Sequence, residues 1–391
     1  MKIAILTCGM LPIPAVQGGA VENLIDFYLE YNNIHKQHDI TIYSPWDPKV
    51  ETQSALASDV NHYHYIDVNS LTYRIARRIY SYFHQDEYYN YFIEYYFEKV
   101  YADLKKRDYD YIIIENGAGL AYKLSQRGYK SLILHMHNEV RESRAKYHPT
   151  IFNSIKKILT VSDYIKESIS DFMPDCKTQT LYNAIDTKNF FPKEKPSLKR
   201  EEIGLNSNDF VIVYSGRINK EKGISELIDA MLQLKDYPNI KLMIIGGTFY
   251  GNAKNEDEFV RSLKNKAKSI EDKIVFTGFI PYKNVPDYLH LADIAALPSM
   301  WDEPFGLTIV EALAAGLPLI TTRSGGIPEI CEGVATIVNR DNIVNNLASA
   351  ILDLYQHPEK REQMAKASIE RARLFDKETF ARNFFEALEN I

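Results

Sequence analysis

The chain has 391 residues, a length typical of two domains, because single hydrophobic cores rarely grow beyond roughly 250–300 residues. Hydrophobic residues make up 45% of the chain and charged residues 25%, which excludes a mainly disordered, collagen-like or coiled-coil protein. The formal net charge of -6 argues against a strongly cationic nucleic-acid binder.

The first element predicted along the chain is a buried strand at residues 2–7. Pro12, Pro14 and a glycine pair follow this short apolar run, which favours a strand over a signal peptide. No apolar run reaches the roughly 18 residues of a membrane span. The three cysteines lie far apart without a CxxC pair, which argues against a disulfide framework or zinc ribbon and fits a reducing cytoplasm; they are Cys8, Cys176 and Cys331.

Strands and helices alternate through the first half of the sequence. An amphipathic helix is predicted for residues 20–31, where apolar side chains recur at helical spacing. Further strands are predicted at residues 39–43, 109–115, 131–135 and 157–162. Short apolar strands separated by helices are typical of a parallel sheet that is covered on both faces.

A loop-like, charged stretch at residues 182–202 is interpreted as an interdomain linker. The alternation then restarts, so we predict a first domain at residues 1–190 and a second at 191–374. The second half has predicted strands at 210–215, 240–245, 274–277, 294–297 and 319–322, and predicted helices at 224–234, 257–267, 285–291 and 305–315.

The segment between residues 63 and 111 is unusually aromatic, since it carries thirteen of the 27 tyrosines. Arg74, Arg77 and Arg78 cluster within it, among apolar side chains at helical spacing. One interpretation is a helix pair that packs on the first sheet. The other is a face that binds an acceptor substrate or a membrane surface.

Two carboxylates eight residues apart give the strongest chemical signal. Glu303 precedes a predicted helix, and Glu311 lies two turns inside it. Backbone N–H groups at Gly306 and Leu307 would be free at the start of that helix and could hold phosphate. The structural alternative is a capping carboxylate and an ordinary exposed glutamate. It is weakened because Glu311 lies in the small-residue context EALAAG, where an unpaired charge is costly.

Two loops that follow predicted strands could hold phosphate. Arg217 and Lys222 follow the first strand of the second domain and could clamp a diphosphate, although basic loops are usually solvated surface. Gly18 and Gly19 follow the first strand of the first domain and permit close approach of a phosphate, or simply form a tight turn.

Histidines end another predicted strand of the first domain. His135 and His137 point to the same side of that strand, at the sheet edge where ligands of α/β proteins bind. Either could instead be a satisfied structural histidine. The nearby Gly117-x-Gly119 lacks the third glycine of a dinucleotide fingerprint and argues against a nicotinamide or flavin site.

These motifs together resemble the retaining glycosyltransferases of family 4. The resemblance rests on the E-x7-E phrase with GG-x-PE, the GRINKEKG loop and the early glycine pair. It covers nearly the whole chain and is strongest from Val211 to Ile330. It implies an α/β protein with the GT-B fold, in which two Rossmann-like domains face each other across a cleft. Residues 375–391 resemble the family's tail helix, which crosses back to the first domain.

The resemblance also implies donor-binding roles. Glu303 and His137 would contact the donor sugar near the reacting centre, and Glu311 would accept both ribose hydroxyls. Arg217 and Lys222 would neutralise the diphosphate leaving group, so no metal or other cofactor is required. Further donor contacts would come from Gly306, Leu307, Gly18, Gly19 and Glu329, and base contacts from the region of Phe279 and Ile280. The family often has a single histidine here, whereas this chain has two. The sequence therefore leaves open whether His135 or His137 faces the donor.

We therefore expect a cytoplasmic, metal-independent retaining transferase of the hexosyltransferase type. It would move a sugar from a nucleotide diphosphate donor, with UDP favoured, to a glycan or lipid-linked acceptor of a bacterial surface polysaccharide. Contact with the inner face of the plasma membrane is a further hypothesis. The alternatives are a glycoside phosphorylase or sugar-nucleotide epimerase of the same fold, and a non-catalytic coat or scaffold protein that binds nucleotide sugars.

Overall fold

A computed structural model describes residues 1–84, 91–139, 148–170, 177–193, 197–247 and 258–391. Cys176 and the predicted helix start at residue 257 lie outside these ranges. The chain divides into two compact units: the first is Met1–Asn183 with Lys377–Ile391, and the second is Ala184–Asp376. The domain boundary predicted after residue 190 falls at the end of helix Thr187–Phe190, which belongs to the second unit.

The first unit contains a seven-stranded sheet within the described residues. All its strand pairs are parallel, and their order is β3-β2-β1-β4-β5-β6-β7. The sheet is built from strands Lys2–Leu6 (β1), Asp39–Pro45 (β2), Asn61–Ile66 (β3), Tyr111–Glu115 (β4), Leu132–Met136 (β5), Ile155–Thr160 (β6) and Thr178–Thr180 (β7).

Helices connect these strands, as parallel pairing requires. None of the described helices is both long and apolar enough to cross a bilayer. The first unit has helices Ala20–His35 (α1), Leu71–Phe83 (α2), Tyr91–Leu104 (α3), Ala118–Gln126 (α4), His148–Ser154 (α5) and Asp163–Glu167 (α6), with 3-10 turns at Pro48–Thr52 and Ser54–Leu56.

The second unit repeats this plan with a six-stranded parallel sheet in the described residues, ordered β10-β9-β8-β11-β12-β13. Its strands are Phe210–Ser215 (β8), Ile240–Ile245 (β9), Ile274–Gly278 (β10), Ile294–Leu297 (β11), Leu319–Thr322 (β12) and Thr336–Val338 (β13).

The helices of the second unit include two long ones, α13 and α14, that follow its last strand. The described helices of this unit are Thr187–Phe190 (α7), Ile224–Gln233 (α8), Glu258–Lys266 (α9), Val285–Leu289 (α10), Leu307–Ala314 (α11), Ile327–Cys331 (α12), Ile343–Gln356 (α13) and Pro358–Ala372 (α14). The 3-10 turns are Arg200–Ile203, Lys220–Lys222, Ala267–Lys273, Tyr282–Asn284 and Arg373–Phe375.

The C-terminal helix α15, Lys377–Glu389, belongs to the first unit and packs against α1. The rings of Tyr28 and Phe384 stack with centroids 4.1 Å apart. Lys157 donates a hydrogen bond from Nζ to the carbonyl oxygen of Ala387 at 2.8 Å, so the end of α15 is also fixed to β6.

Both strand orders reverse direction beside the first strand of the unit, between β1 and β4 and between β8 and β11. Ligands of doubly wound α/β sheets bind at the carboxyl ends of the strands next to such a reversal. Functional residues are therefore expected in the loops that leave β1, β4, β8 and β11, and next to them in the loops that leave the neighbouring strands β5 and β12.

Candidate active site

In the second unit, the predicted donor-binding side chains follow the central strands of the sheet. Arg217 and Lys222 lie in the loop after β8, and Glu303 lies in the loop after β11. Glu311 lies on α11, which connects β11 to β12. The topology therefore brings three of the four predicted side chains to the two loops that flank the strand reversal, and Glu311 to the helix that follows the second loop.

Glu303 is held by two donors. Lys222 Nζ and Ser299 Oγ both donate hydrogen bonds to Glu303 Oε1, the serine at 2.8 Å. Because both the acid and the lysine are largely buried, their ion pair is less screened by solvent than a surface pair would be. The pair positions a carboxylate and an ammonium group side by side at the sheet edge.

The loop that carries Glu303 is anchored by neighbouring backbone. Gly326 N donates to the carbonyl oxygen of Glu303 at 2.8 Å, and Met300 N donates to that of Glu221 at 2.8 Å. A β-carbon at Gly325, whose φ is +54°, would lie 2.3 Å from the Glu303 carbonyl oxygen. A larger residue at position 325 would therefore push Glu303 out of place.

The helix that follows begins later than the sequence suggested. Gly306 is the N-cap residue and α11 starts at Leu307, so Pro304 lies in the loop instead of at the first helical position. Consequently only Glu311, and not Glu303, is fixed by helical geometry. The first N–H groups of α11 lack partners within the helix, as at any helix start, and can meet an anion.

Glu311 is almost fully buried, with 6% of its surface exposed. Burial raises its pKa from the ordinary 4.5 to about 7, although a hydrogen bond with Tyr282 partly opposes the shift. Tyr282 lies in the loop after β10, three residues beyond Phe279, and both aromatic side chains are about half exposed. The proposed base-contact region, Phe279 and Ile280, therefore adjoins the tyrosine that reaches Glu311.

Arg217 and Glu329 are placed differently from Lys222. The Arg217 side chain is exposed and has no hydrogen bond or ion pair with the described part of the chain, which leaves its guanidinium available to a ligand. Glu329 lies in the first turn of α12, after β12, and is half-buried. Arg371 donates to its carbonyl oxygen and to that of Ile330, which fixes this turn.

In the first unit, Gly18 and Gly19 end the loop after β1 and precede α1. Gly19 has a φ of +114°, and a β-carbon there would lie 2.1 Å from Glu22 Oε2. The loop is tied to the helix, because Ala15 N donates to Asp26 Oδ2 at 2.8 Å. Gly19 thus packs closely over the start of α1 and its acidic residue, whereas a β-carbon at Gly18 would meet open space.

The two predicted histidines converge on one buried carboxylate, as their placement on the same side of the strand allows. Glu115 Oε2 lies 3.0 Å from His137 Nε2 and 3.0 Å from His135 Nδ1. Although burial opposes ionisation, the two imidazoles lower the pKa of Glu115. Burial and the neighbouring His135 lower the pKa of His137 to about 4. His135 is fully buried, and neither of its ring nitrogens forms a hydrogen bond with the described residues, so His137 is the more accessible ring.

The side chains of Glu115, His135 and His137 also form a cluster of the kind that could hold a metal ion. The nitrogen and oxygen atoms of Glu115, His135 and His137 lie within 4.8 Å of one another, close enough to share an ion, and no second such group occurs in the described ranges. The sequence's Asp-x-Asp pair, at residues 108 and 110, precedes β4 and therefore lies at the opposite sheet edge.

The sequence did not identify three residues of these clusters: Glu115, Ser299 and Tyr282. Glu115 and Ser299 stand at or just after the end of an apolar strand, and a polar residue at that position is the signal that could have found them. Tyr282 offers no comparable signal, because its contact with Glu311 depends on how the loop after β10 folds.

Comparison with known proteins places the chain in a family. A model of glycosyl transferases group 1 matches residues 197–371. Spore coat protein SA of Bacillus subtilis is 30% identical over 94% of this chain and 93% of its own length. The lipopolysaccharide 1,2-N-acetylglucosaminetransferase of Salmonella typhimurium is 26% identical over 71% of this chain and 72% of its own length.

The fold comparison agrees. The crystal structure of Anabaena Alr3699/HepE in complex with UDP has a TM-score of 0.76 and 20% identity, and the match covers 100% of both chains. The predicted fold class, two Rossmann-like α/β domains of the GT-B type, is thereby confirmed. The chain belongs to the group 1 glycosyl transferases and has the GT-B fold.

Proposed function

We propose that the protein is a retaining hexosyltransferase. It takes a sugar from a nucleotide diphosphate sugar, with UDP favoured, and passes it to a glycan or lipid-linked acceptor of a bacterial surface polysaccharide. The observation that carries the proposal is the arrangement at the edge of the second sheet, where Lys222 is paired with Glu303 beside an available Arg217. Basic groups at a strand reversal suit a diphosphate, and the adjacent carboxylate suits a sugar hydroxyl.

Each predicted residue has a role in this proposal. Arg217, Lys222 and the first amides of α11, from Gly306 and Leu307, stabilise the charge that develops on the leaving diphosphate. Glu303 orients the donor sugar, and Glu311 accepts the ribose hydroxyls. The remaining contacts are proposed for His137 at the sugar, Gly18, Gly19 and Glu329 near the phosphates, and Phe279 and Ile280 at the base.

The donor and acceptor classes are supported by relatives. HepE was crystallised with UDP, and the Salmonella relative is a lipopolysaccharide N-acetylglucosaminetransferase. These properties belong to those proteins and motivate the choice of UDP and of a surface glycan here. The name of the Bacillus relative, a spore coat protein, motivates a second candidate: a coat protein that binds nucleotide sugars without turning them over.

We also propose that donor binding needs no metal ion. Two cationic side chains, Arg217 and Lys222, serve the two phosphates, and no Asp-x-Asp pair follows a strand in either unit. Arg217 has no competing partner in the described part of the chain, so its guanidinium can form a bidentate contact without first breaking an ion pair.

A panel of nucleotide sugars tests both the proposed donor and the proposed independence of metal ions. UDP-glucose, UDP-N-acetylglucosamine and GDP-mannose are added in EDTA, and thermal unfolding and nucleotide release are measured. We expect a UDP-sugar at 100 times its Kd to stabilise the protein by about 2.7 kcal/mol. Arg217→Ala should weaken binding about 10- to 150-fold, since a charge-assisted hydrogen bond contributes about 1.5–3 kcal/mol.

The same panel separates the alternatives. Binding without nucleotide release would favour the coat protein, and turnover only with added inorganic phosphate would favour a phosphorylase. Loss of turnover in EDTA that manganese restores would contradict metal independence. Arg373→Ala is the matched control, because this exposed arginine of the second unit lies after α14, pairs with Glu370 and is outside the loops that follow the strands.

We further propose that the protein binds anionic membrane through α2. The tyrosine-rich segment does contain a helix pair: Tyr73 turns inward and packs edge-on against Tyr95 of α3 at 4.9 Å. The outer face of α2, however, exposes a continuous apolar stripe flanked by the exposed Arg74 and Arg78. The stripe consists of Leu71, Ile75, Ile79, Tyr82 and Phe83, each more than half exposed.

Removing the charges of the two exposed arginines tests this proposal. Each basic residue near an anionic surface contributes about 1 kcal/mol, so Arg74→Gln with Arg78→Gln should reduce binding to phosphatidylserine vesicles about 30-fold at low salt. Arg77 is left intact because it lies over the Tyr73 ring at 5.9 Å. The control variant, Arg373→Gln with Arg382→Gln, removes the same charge from two exposed positions outside α2. Equal sedimentation of both variants with the vesicles would refute the proposal.

A further inference from the structure

The buried polar group of the first unit joins three elements of the fold. Glu115 ends β4, His137 follows β5 and Tyr28 lies on α1. Tyr28 donates from its hydroxyl to Glu115 Oε1 at 3.0 Å, and His137 Nε2 lies 3.0 Å from Oε2. Glu115 is 1% exposed, so its charge depends on these partners.

The geometry restricts the protonation of His137. An ionised carboxylate only accepts hydrogen bonds, so the contact with Glu115 requires a proton on Nε2. A neutral imidazole carries one proton, which leaves Nδ1 as an acceptor. Nδ1 has no hydrogen-bond partner among the residues that the structure describes. The ring therefore offers a lone pair on the side away from Glu115.

We propose that Glu115 is a positioning residue, which holds His137 in the Nε2-protonated tautomer so that Nδ1 accepts a hydrogen bond from a hydroxyl of the donor sugar. This inference rests on the proposed function. Tyr28 and His135 complete the arrangement, because the Tyr28 hydroxyl occupies a lone pair of Oε1 and the His135 ring lies against Oε2, with Nδ1 3.0 Å away, so that the carboxylate is kept from turning away from His137. The packing of Tyr28 on Phe384 then fixes the tyrosine in turn.

Glu115→Gln changes the hydrogen bonding of this side chain while nearly preserving its size, so it tests the positioning role. The amide has nearly the same shape, but its nitrogen cannot accept a hydrogen bond, so it cannot receive both the Tyr28 hydroxyl and the His137 proton. We expect the variant to bind UDP normally and to lose kcat for UDP-glucose about 10- to 100-fold, as when the partner that orients a functional histidine is removed. Tyr96→Phe is the control for lost stability, since its buried hydroxyl contacts Thr7 and not Glu115.

The tautomer itself is measured by ¹⁵N NMR of imidazole-labelled protein, with the His137 signals assigned from His137→Gln. In the wild type we expect protonated Nε2 and unprotonated Nδ1 at pH 7, unchanged by EDTA, and in Glu115→Gln a mixture of tautomers. This readout does not require turnover, so it stands even if no sugar is transferred. The inference is overturned if wild-type His137 carries its proton on Nδ1, if EDTA shifts its signals, or if Glu115→Gln keeps both the tautomer and full kcat.

Discussion

Replacing Glu303 with glutamine is expected to lower kcat about 100- to 1,000-fold, the cost of removing one preorganised polar group from a reacting centre. The carboxylate accepts from both Lys222 and Ser299, so its loss also releases the lysine from its fixed position. The donor KM should change little, because the diphosphate contacts of Arg217 remain. Steady-state kinetics with UDP-glucose gives both parameters.

Two further variants interpret that result. Ser299→Ala should give a smaller loss of kcat than Glu303→Gln, since it removes one hydrogen bond to the carboxylate but leaves the charge and the Lys222 pair. Glu332→Gln, an exposed glutamate of the same unit, should behave as wild type. A Glu303→Gln enzyme with normal kcat and a raised KM would mean that this carboxylate binds the ribose instead of the reacting sugar.

Replacing Glu311 with glutamine should have the opposite kinetic signature. We expect the donor KM to rise about 10- to 150-fold with little change in kcat, because contacts made equally in the ground state and the transition state affect binding alone. In the wild type, donor affinity should rise about tenfold between pH 6 and pH 8, as Glu311 with its pKa of about 7 ionises. The variant should lose this pH dependence.

The same substitution should stabilise the protein above neutral pH. Burial raises the pKa of Glu311 from 4.5 to about 7, so the stability gained by keeping it protonated is complete below pH 4.5 and is lost as the pH rises through 7. The folded protein therefore carries a cost of about 3 kcal/mol at pH 8, which Glu311→Gln removes. Thermal unfolding at pH 5 and pH 8 checks this; a variant less stable than wild type at pH 8 would be the contrary result.

The pattern of strands could be predicted where the sheet is buried. Strands β8, β9, β11 and β12 have the predicted bounds, because continuous apolar runs form central parallel strands. The edge strands β3, β7 and β13 were not predicted. β7 consists of Thr-Gln-Thr, and β3 alternates polar and aromatic residues, so neither resembles a buried strand.

Candidate site residues could be selected one by one from the sequence, but their partners in the fold could not. Glu303 and Lys222 were recognised separately, yet they are 81 positions apart, and only the fold shows that they form an ion pair. In the same way, Glu115 and His137 are brought together by the register in which β4 pairs with β5. Sequence periodicity indicates the side of a strand on which a residue lies, and tertiary pairing decides what it meets there.

The stereochemistry of the first product tests the central claim most directly. With UDP-glucose as donor and water as acceptor, ¹H NMR follows the anomeric signals before the free sugar mutarotates. We expect α-glucose to appear first, in the presence of EDTA, and Glu303→Gln to release it far more slowly. Initial formation of β-glucose would contradict a retaining transfer at this site.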